Sequence, residues 1–270
     1  MKLTNPGLPE EVYQAICKAN EDYDRGESDY TATEILKPPY MVKLARENHE
    51  KMVVSALGKF EAWAGTAIHK WLEDTYKERH GYLTEVRMYA DFDLGMATVK
   101  LGGMADLIEK SDEAVFIRDY KYTKAGSSFF AKPDWYSQGN ILSYLYYKNT
   151  GVIPTEIQFI PIYKDWDRNR AKTDERYPQL PSAYYDVPVR DPGEVEEYIK
   201  DLLAKHVTAS MAPLDMVEPC TKEQRWDRGR GPLRCLEWCD VGECGLCPWF
   251  EEHKEEQKNK HNPNGPWKSE

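Results

Sequence analysis

Three residues near the middle of the chain have types and spacing suited to hydrolytic chemistry: Asp106, Asp119 and Lys121. They fall on two stretches rich in Val, Ile and Tyr, separated by the turn-like Lys110-Ser-Asp-Glu113. With the turn centred between Asp112 and Glu113, opposed residues have numbers summing to about 225, so Asp106 stands opposite Asp119. A strand period of two puts Lys121 on the face of Asp119. The rest of that face is apolar, with Val115 and Ile117 on one strand and Met104 and Ile108 on the other. Two carboxylates that close repel one another, and their burial is costly unless something compensates. A divalent cation does so, and hard carboxylate oxygens suit Mg²⁺ or Mn²⁺. A lysine beside such an ion can orient or deprotonate an attacking water and stabilise charge developing on phosphorus. The pattern thus fits metal-dependent phosphodiester hydrolysis. An Asp–Lys–Asp salt-bridge network at a strand end is the plainer use of the same residues.

Two helices flank these strands. Gly65, His69 and Glu73 lie four apart on one stripe of the first. Gly65 removes a side chain where the helix would approach the sheet. His69 can supply an imidazole ligand, and Glu73 can hold that histidine or a water. A lone helical histidine is more often structural. On the second helix, Gln138 can bond a phosphate or orient Lys121, while Tyr136, Tyr144 and Tyr147 also suit core packing.

Four of the six cysteines, Cys235, Cys239, Cys244 and Cys247, have C-x3-C-x4-C-x2-C spacing. Four thiolates this close can enclose one Zn²⁺ or a [4Fe–4S] cluster. Cys220 is a fifth candidate and can replace Cys244. The first residues have no apolar signal-peptide core, so the cysteines read as a metal site before a disulfide framework, and the protein as cytoplasmic. Cys17 reads as a small core residue.

The 270 residues carry 36 basic and 46 acidic side chains, a net charge of −10. That argues against a protein that only coats nucleic acid, but not against an enzyme with a local basic groove. Three stretches mix cations with aromatics, as a nucleic-acid surface requires. The first holds Lys121, Tyr122, Lys124, Phe129, Phe130 and Lys132, with Ala125-Gly-Ser-Ser as a loop to close over substrate. The second holds Lys164, Trp166, Arg168, Arg170 and Lys172. The third holds Arg225, Trp226, Arg228, Arg230 and Arg234. Ordinary solvated loops have the same composition. No run of about 18 apolar residues suggests a membrane span.

Positioning these groups requires the following elements. Helices are expected over 8–24 and 31–57, the latter opening on a Thr31–Glu34 capping box and interrupted or restarted at Pro38-Pro39. A helix runs from about Phe60 to His80, capped by Gly81. Three sequential antiparallel strands cover 83–91, 97–109 and 114–122. A helix follows from Pro133 to about Asn149, then a strand over 155–163 and a polar excursion over 165–185. A helix over 192–210 starts at Pro192, and the chain is irregular from Met211. The order αβββαβ defines an α/β core with a mixed sheet flanked by helices, plus an irregular cysteine-rich C-terminal metal-binding segment. The expected divisions are an N-terminal helical segment (1–58), the core (59–210), the cysteine segment (211–250) and a mobile tail (251–270).

Together these motifs resemble the PD-(D/E)xK nuclease superfamily, specifically its RecB-like exonuclease branch. The resemblance covers about 60–165 and the cysteines downstream. Gly65 to His69 matches G-x-x-x-H, Gly103 to Asp106 matches G-x-x-D, and Asp119-Tyr-Lys121 matches (D/E)-x-K. Gln138 opens a Q-x-x-x-Y motif whose tyrosine position, 142, is Leu here; Tyr144 is a substitute. The resemblance implies that His69, Asp106, Asp119 and the Tyr120 carbonyl bind Mg²⁺ or Mn²⁺. It implies that Lys121 is catalytic and that Gln138 supports the lysine or the DNA. Glu73 and Glu85 are accessory acids at most. The cysteines are similar to those of AddB-type and CRISPR-associated iron–sulfur nucleases, which shifts the balance toward [4Fe–4S]. Those families place one cysteine before the core, and the corresponding segment here has none, so zinc stays open. The implied activity is exonucleolytic cleavage of DNA in recombination, repair or end processing, with a phage origin, a host-cell cytoplasmic location and a recombinase or helicase partner all compatible. A non-catalytic DNA-binding adaptor and an endonuclease of the same superfamily are the alternatives.

Overall fold

The structure is a computed structural model, and it describes residues 1–22, 24–129, 133–227 and 231–260. The chain forms two compact units. One contains Asp22–Leu36 and Glu61–Leu203; the other contains Met1–Glu21, Lys37–Phe60 and Ala204–Glu270.

In chain order the elements are β1 (Lys2–Thr4), α1 (Glu10–Glu21), β2 (Tyr30–Thr31), α2 (Pro39–Glu47), β3 (Val53–Ser55), α3 (Ala56–Tyr76), β4 (Tyr82–Asp93), β5 (Thr98–Lys110) and β6 (Val115–Thr123). Then follow α4 (Pro133–Thr150), β7 (Glu156–Tyr163), α5 (Arg168–Thr173), β8 (Tyr185–Val187), α6 (Pro192–Met211), α7 (Leu233–Glu237), α8 (Asp240–Glu243) and α9 (Pro248–Lys260).

The first unit is built on a six-stranded mixed sheet. β4 and β5 form a long antiparallel hairpin, and β5 pairs antiparallel with β6. After α4 the chain returns as β7, parallel to β6, and β8 closes that edge antiparallel. The β5–β6 register pairs Leu107 with Arg118 and Ile108 with Ile117, so opposed numbers sum to 225 as the turn position requires. α4 covers the sheet with Ile141, Leu142 and Leu145, all sealed from solvent. It lies so close that a Cβ on Gly139 would sit 2.7 Å from Ile157 Cγ2, and one on Gly103 2.7 Å from Leu145 Cδ1.

β5 carries the feature that opens the site. β4 runs along one of its edges throughout. The other edge is shared: β6 takes Leu107 to Lys110, and β2, parallel to β5, takes Leu101 and Gly102. Gly103 to Asp106 lie between, paired with neither. The sheet therefore has a gap at the level of Asp106. Opposite that gap, on β4, Glu85 adopts a left-handed φ of 47°, and its pairing with Asp106 is missing from an otherwise continuous ladder.

Several expectations change here. The stretch expected as one helix over 31–57 is a strand, a set of turns, α2 and β3. Pro39 does restart a helix, at its first turn. The Thr31 hydroxyl accepts the Glu34 N–H (3.2 Å) as a capping box predicts, but it caps a turn, because Tyr30 and Thr31 are drawn into the sheet. α3 ends at Tyr76, and Gly81, at φ 84°, precedes β4 instead of capping the helix. The excursion over 165–185 contains α5, and its neighbour Trp166 packs on Ala125, Ala171 and Tyr177. Cys17 is only half-buried.

In the second unit β1 and β3 pair in parallel, and Tyr40, Leu44, Met52 and Val241 form a core. The Lys59–Asp240 ion pair (2.6 Å) and the Ser55 N–H bond to Glu243 Oε1 (3.0 Å) tie the cysteine segment to the N-terminal strands. That segment is not irregular: it holds α7 and α8, and residues expected as tail continue α9 to Lys260. Residues 261–270, including NPNGPW, lie outside the described residues.

Candidate active site

The gap in the sheet is the floor of a cleft of about 230 Å³. Asp106, Asp119, Lys121, His69 and Gln138 all line it. Because β5 and β6 part after Leu107 and Arg118, the Asp106–Asp119 pair is not made as a ladder rung. Instead Asp106 Oδ2 accepts the backbone N–H of Tyr120 at 2.7 Å. The two carboxylates are still brought together, but in the opening between strands.

That placement lets both flanking helices reach them. α3 lies on the Tyr120–Tyr122 side: Gly65 is buried, with a Cβ there meeting Tyr122 Cβ at 3.5 Å, and the His69 ring meets Tyr120 edge-on. His69 Nδ1 stands 3.5 Å from Asp106 Oδ1. α4 lies on the Asp119 side, and Gln138 Nε2 donates to Asp119 Oδ2 at 2.9 Å. Gln138 thus holds the carboxylate rather than Lys121. The Lys121 ammonium pairs with Asp119 Oδ1.

The electrostatics follow from this geometry. Asp119 is only 4% exposed, and burial pushes its carboxyl up to about 6, against the pull of Lys121 and with the Asp106 charge adding to the rise. Burial would lower the His69 pKa, but the hydrogen bond and charge of Asp106, aided by Asp119, outweigh it and hold the imidazole above its usual value. Asp119 Oδ1 is buried and already faces one cation, the Lys121 ammonium, so the position suits positive charge. The hard oxygens of Asp106 and Asp119, the Tyr120 carbonyl and the His69 imidazole make a donor set appropriate to Mg²⁺ or Mn²⁺. Among the described residues, no three His, Cys, Asp or Glu side chains converge tightly enough to hold one ion as they stand. At the carboxylates, Lys121 and Gln138 occupy the two oxygens of Asp119, so an ion would have to share or take these places.

Other expectations fall away from the cleft. Leu142 lines it, at the position where the motif has tyrosine. Tyr144 does not substitute: it is buried and donates to Glu196 Oε2 at 2.7 Å. Glu73 pairs with Lys70 at 2.7 Å, and Glu85 is exposed on β4. Met104, expected in a buried face, is 37% exposed because the gap leaves it in the cleft.

Of the basic and aromatic stretches, several members have structural partners. Lys164 pairs with Glu61, and Trp166 Nε1 donates to the Pro178 carbonyl at 2.8 Å. Arg170 stacks over Tyr177, Arg225 over Trp249 and Arg234 over Trp226. Phe130, Lys132, Arg228 and Arg230 lie outside the described residues.

The sequence motifs did not identify Arg25, Thr31, Thr33 and Arg87, which also line the cleft. Their only sequence signal is an Arg-Gly pair before a two-residue strand, which local patterning does not distinguish from a loop.

In the other unit, Cys220, Cys235, Cys239 and Cys247 line one small hollow beside Tyr40 and Leu44. Cys244 is apart, with its thiol directed at the Val53 carbonyl (3.3 Å). Burial first, and then neighbouring thiols, push Cys220 up to about 11 and Cys235 to about 12. Cys220, the fifth candidate, thus stands in the hollow where the spacing puts Cys244.

The αβββαβ order, the parted strands and the carboxylate–lysine cluster define a nuclease of the metal-dependent type. The model of the PD-(D/E)XK nuclease superfamily matches residues 42–249, and the chain belongs to that superfamily. A solved structure titled "Crystal structure of SSO0001" is similar in fold, with a TM-score of 0.58 at 16% identity, covering 89% of this chain and 95% of that one. No curated protein is similar enough to count as a relative. Among the described residues, no helix is long and apolar enough to cross a membrane.

Proposed function

We propose that the protein is a Mg²⁺- or Mn²⁺-dependent exonuclease of RecB-like type that hydrolyses phosphodiester bonds at DNA ends. The observation that carries this is the convergence of Asp106, Asp119, Lys121, His69 and Gln138 on one cleft. Asp106, Asp119, His69 and the Tyr120 carbonyl would hold the ion, which when bound supplies Lewis-acid stabilisation of the phosphate. The protein groups do the rest. Tyr120 N–H fixes the Asp106 carboxylate, and Gln138 fixes that of Asp119. Lys121, freed from its pairing with Asp119, would use its ammonium to orient an attacking water and to offset negative charge on the phosphate.

Work on DNA ends in recombination, repair or end processing, beside a recombinase or helicase, accords with this reading, as does a place inside the cell. The hollow ringed by Cys220, Cys235, Cys239 and Cys247 would hold a [4Fe–4S] cluster rather than one Zn²⁺. The support is that four thiols line one hollow, a donor set that also suits the alternative, Zn²⁺.

The test is end-labelled linear DNA, single- and double-stranded, incubated with Mg²⁺, Mn²⁺ or EDTA, comparing wild type with Lys121→Ala. Metal-dependent release of short products by wild type alone is expected. Fragments from closed circular DNA would indicate an endonuclease, and intact DNA with every metal would indicate a binding protein.

A further inference from the structure

We infer that Arg25 and Arg87 form an anion subsite in the same cleft, holding the backbone phosphate next to the scissile one. The inference rests on the nuclease reading of the cleft and specifies how the DNA strand lies in it.

Asp24, Arg25 and Thr31 to Thr33 wall the cleft, held on β5 by β2 and by the Ala32 N–H bond to the Gly102 carbonyl (2.8 Å). Arg25 is on this wall, and Arg87 reaches the cleft from β4. Each guanidinium is held from one corner. Arg25 Nη2 donates to the Asp29 carbonyl and to Glu34 Oε2, both at 2.8 Å. Arg87 Nη2 donates to the Asp24 carbonyl at 3.0 Å, with Asp24 Oδ2 at 3.5 Å. Gly26, at φ 69°, allows this approach, since a Cβ there would come within 2.5 Å of Arg87 Nη1 and 2.4 Å of the Tyr89 hydroxyl.

A guanidinium offers five N–H donors, so bonds through one nitrogen leave an edge for a ligand. A guanidinium suits bidentate bonds to a phosphate, and the Thr31 and Thr33 hydroxyls line the same cleft. The carboxylates, with their ion, hold one phosphate. A second phosphate of the same strand, bound in the same cleft, would be its neighbour.

The experiment uses the full chain and short single-stranded oligonucleotides that carry one uncharged methylphosphonate linkage, moved position by position. Cleavage is followed with Mn²⁺, and binding by fluorescence anisotropy with EDTA. Wild type should lose about 10- to 100-fold in kcat/KM and in affinity when the neutral linkage occupies the subsite. Arg87→Gln and Arg25→Gln should lose a similar factor on ordinary DNA, yet no longer respond to the neutral linkage, and Arg87→Lys should recover part of the loss. If the variants respond to the neutral linkage as wild type does, or if wild type responds at no position, the inference is overturned. Equal loss on every oligonucleotide with a lowered Tm would make the arginines pins for the wall and also overturn it. If wild type binds with this linkage pattern but does not cut, the subsite stands and the exonuclease reading fails.

Discussion

The backbone N–H of Tyr120 donates to Asp106 Oδ2 at 2.7 Å, at the rung where β5 and β6 cease to pair. One acidic side chain thus replaces a carbonyl as the partner of a strand amide. The exchange satisfies the amide while turning the carboxylate into the gap between strands, where His69 of α3 reaches it and Gln138 of α4 reaches Asp119. The meeting of Asp106, Asp119 and His69 and the break in the sheet are the same structural event.

Replacing Asp119 by Asn should therefore abolish metal-dependent cleavage while leaving the fold. The amide keeps the Gln138 and Lys121 neighbourhood filled but removes the charge that holds the ion. A loss of at least about 10²- to 10³-fold in kcat is expected, the scale of a removed transition-state contact. Lys121→Ala should lose as much yet keep its affinity for DNA; turnover within threefold of wild type for either variant would be incompatible with the site.

The metal-free protein should become more stable as the pH falls from about 8 to about 5.5. Asp119 has a folded pKa of about 6, above the unfolded value near 3.9. Between these the folded state binds the extra proton, so stability falls as pH rises through that window. His69, also raised, contributes stability that is present below about 6.5 and lost as pH rises through its folded pKa. For Asp119 two pKa units correspond to about 3 kcal/mol once the pH is below about 4, of which about 1 kcal/mol is gained by pH 5.5. Thermal melts in EDTA check this, and Asp119→Asn should flatten the slope; so should Mn²⁺, which favours the ionised carboxylate.

Gly139→Ala should destabilise the protein by about 1–2 kcal/mol. Alanine returns up to about 1 kcal/mol of helix propensity. Its Cβ would, however, press on Ile157 Cγ2 at 2.7 Å and Phe159 Cε2 at 3.1 Å in a fully buried layer, and overpacking costs about 1–3 kcal/mol. A higher Tm would mean that α4 can lift from the sheet without loss.

Tyr144→Phe should leave cleavage unchanged and lower stability by about 1 kcal/mol, because its hydroxyl serves Glu196 and not the cleft. Parallel melts and end-labelled assays separate the two effects.

Cys220→Ser should lower bound metal and Tm together, as should loss of Cys235, Cys239 or Cys247, whereas Cys244→Ser should alter neither by much. Metal analysis of each purified variant decides. Equal metal content in Cys220→Ser and wild type would return Cys244 to the ligand set.

Much of the site is legible from local pattern. Strand alternation and a four-residue turn determine the 225 register, and with it the nearness of Asp106 and Asp119. The four-residue spacing of Gly65 and His69 determines that a bare helix face and an imidazole share one stripe, since helical periodicity is local. What tertiary structure decided is non-local. Thr31 reads as a helix start, but the unpaired edge of β5 draws it and Tyr30 into the sheet, with hydrogen bonds that a cap cannot match. Tyr144 and Leu142 differ by two positions on one helix, and only the placement of Glu196 and the gap decides which faces which. Cys220 stands fifteen residues before Cys235, and spacing could not choose between it and Cys244. Residue types and periods set what each segment can do; the competition among distant partners for backbone hydrogen bonds and buried space sets which of those possibilities is realised.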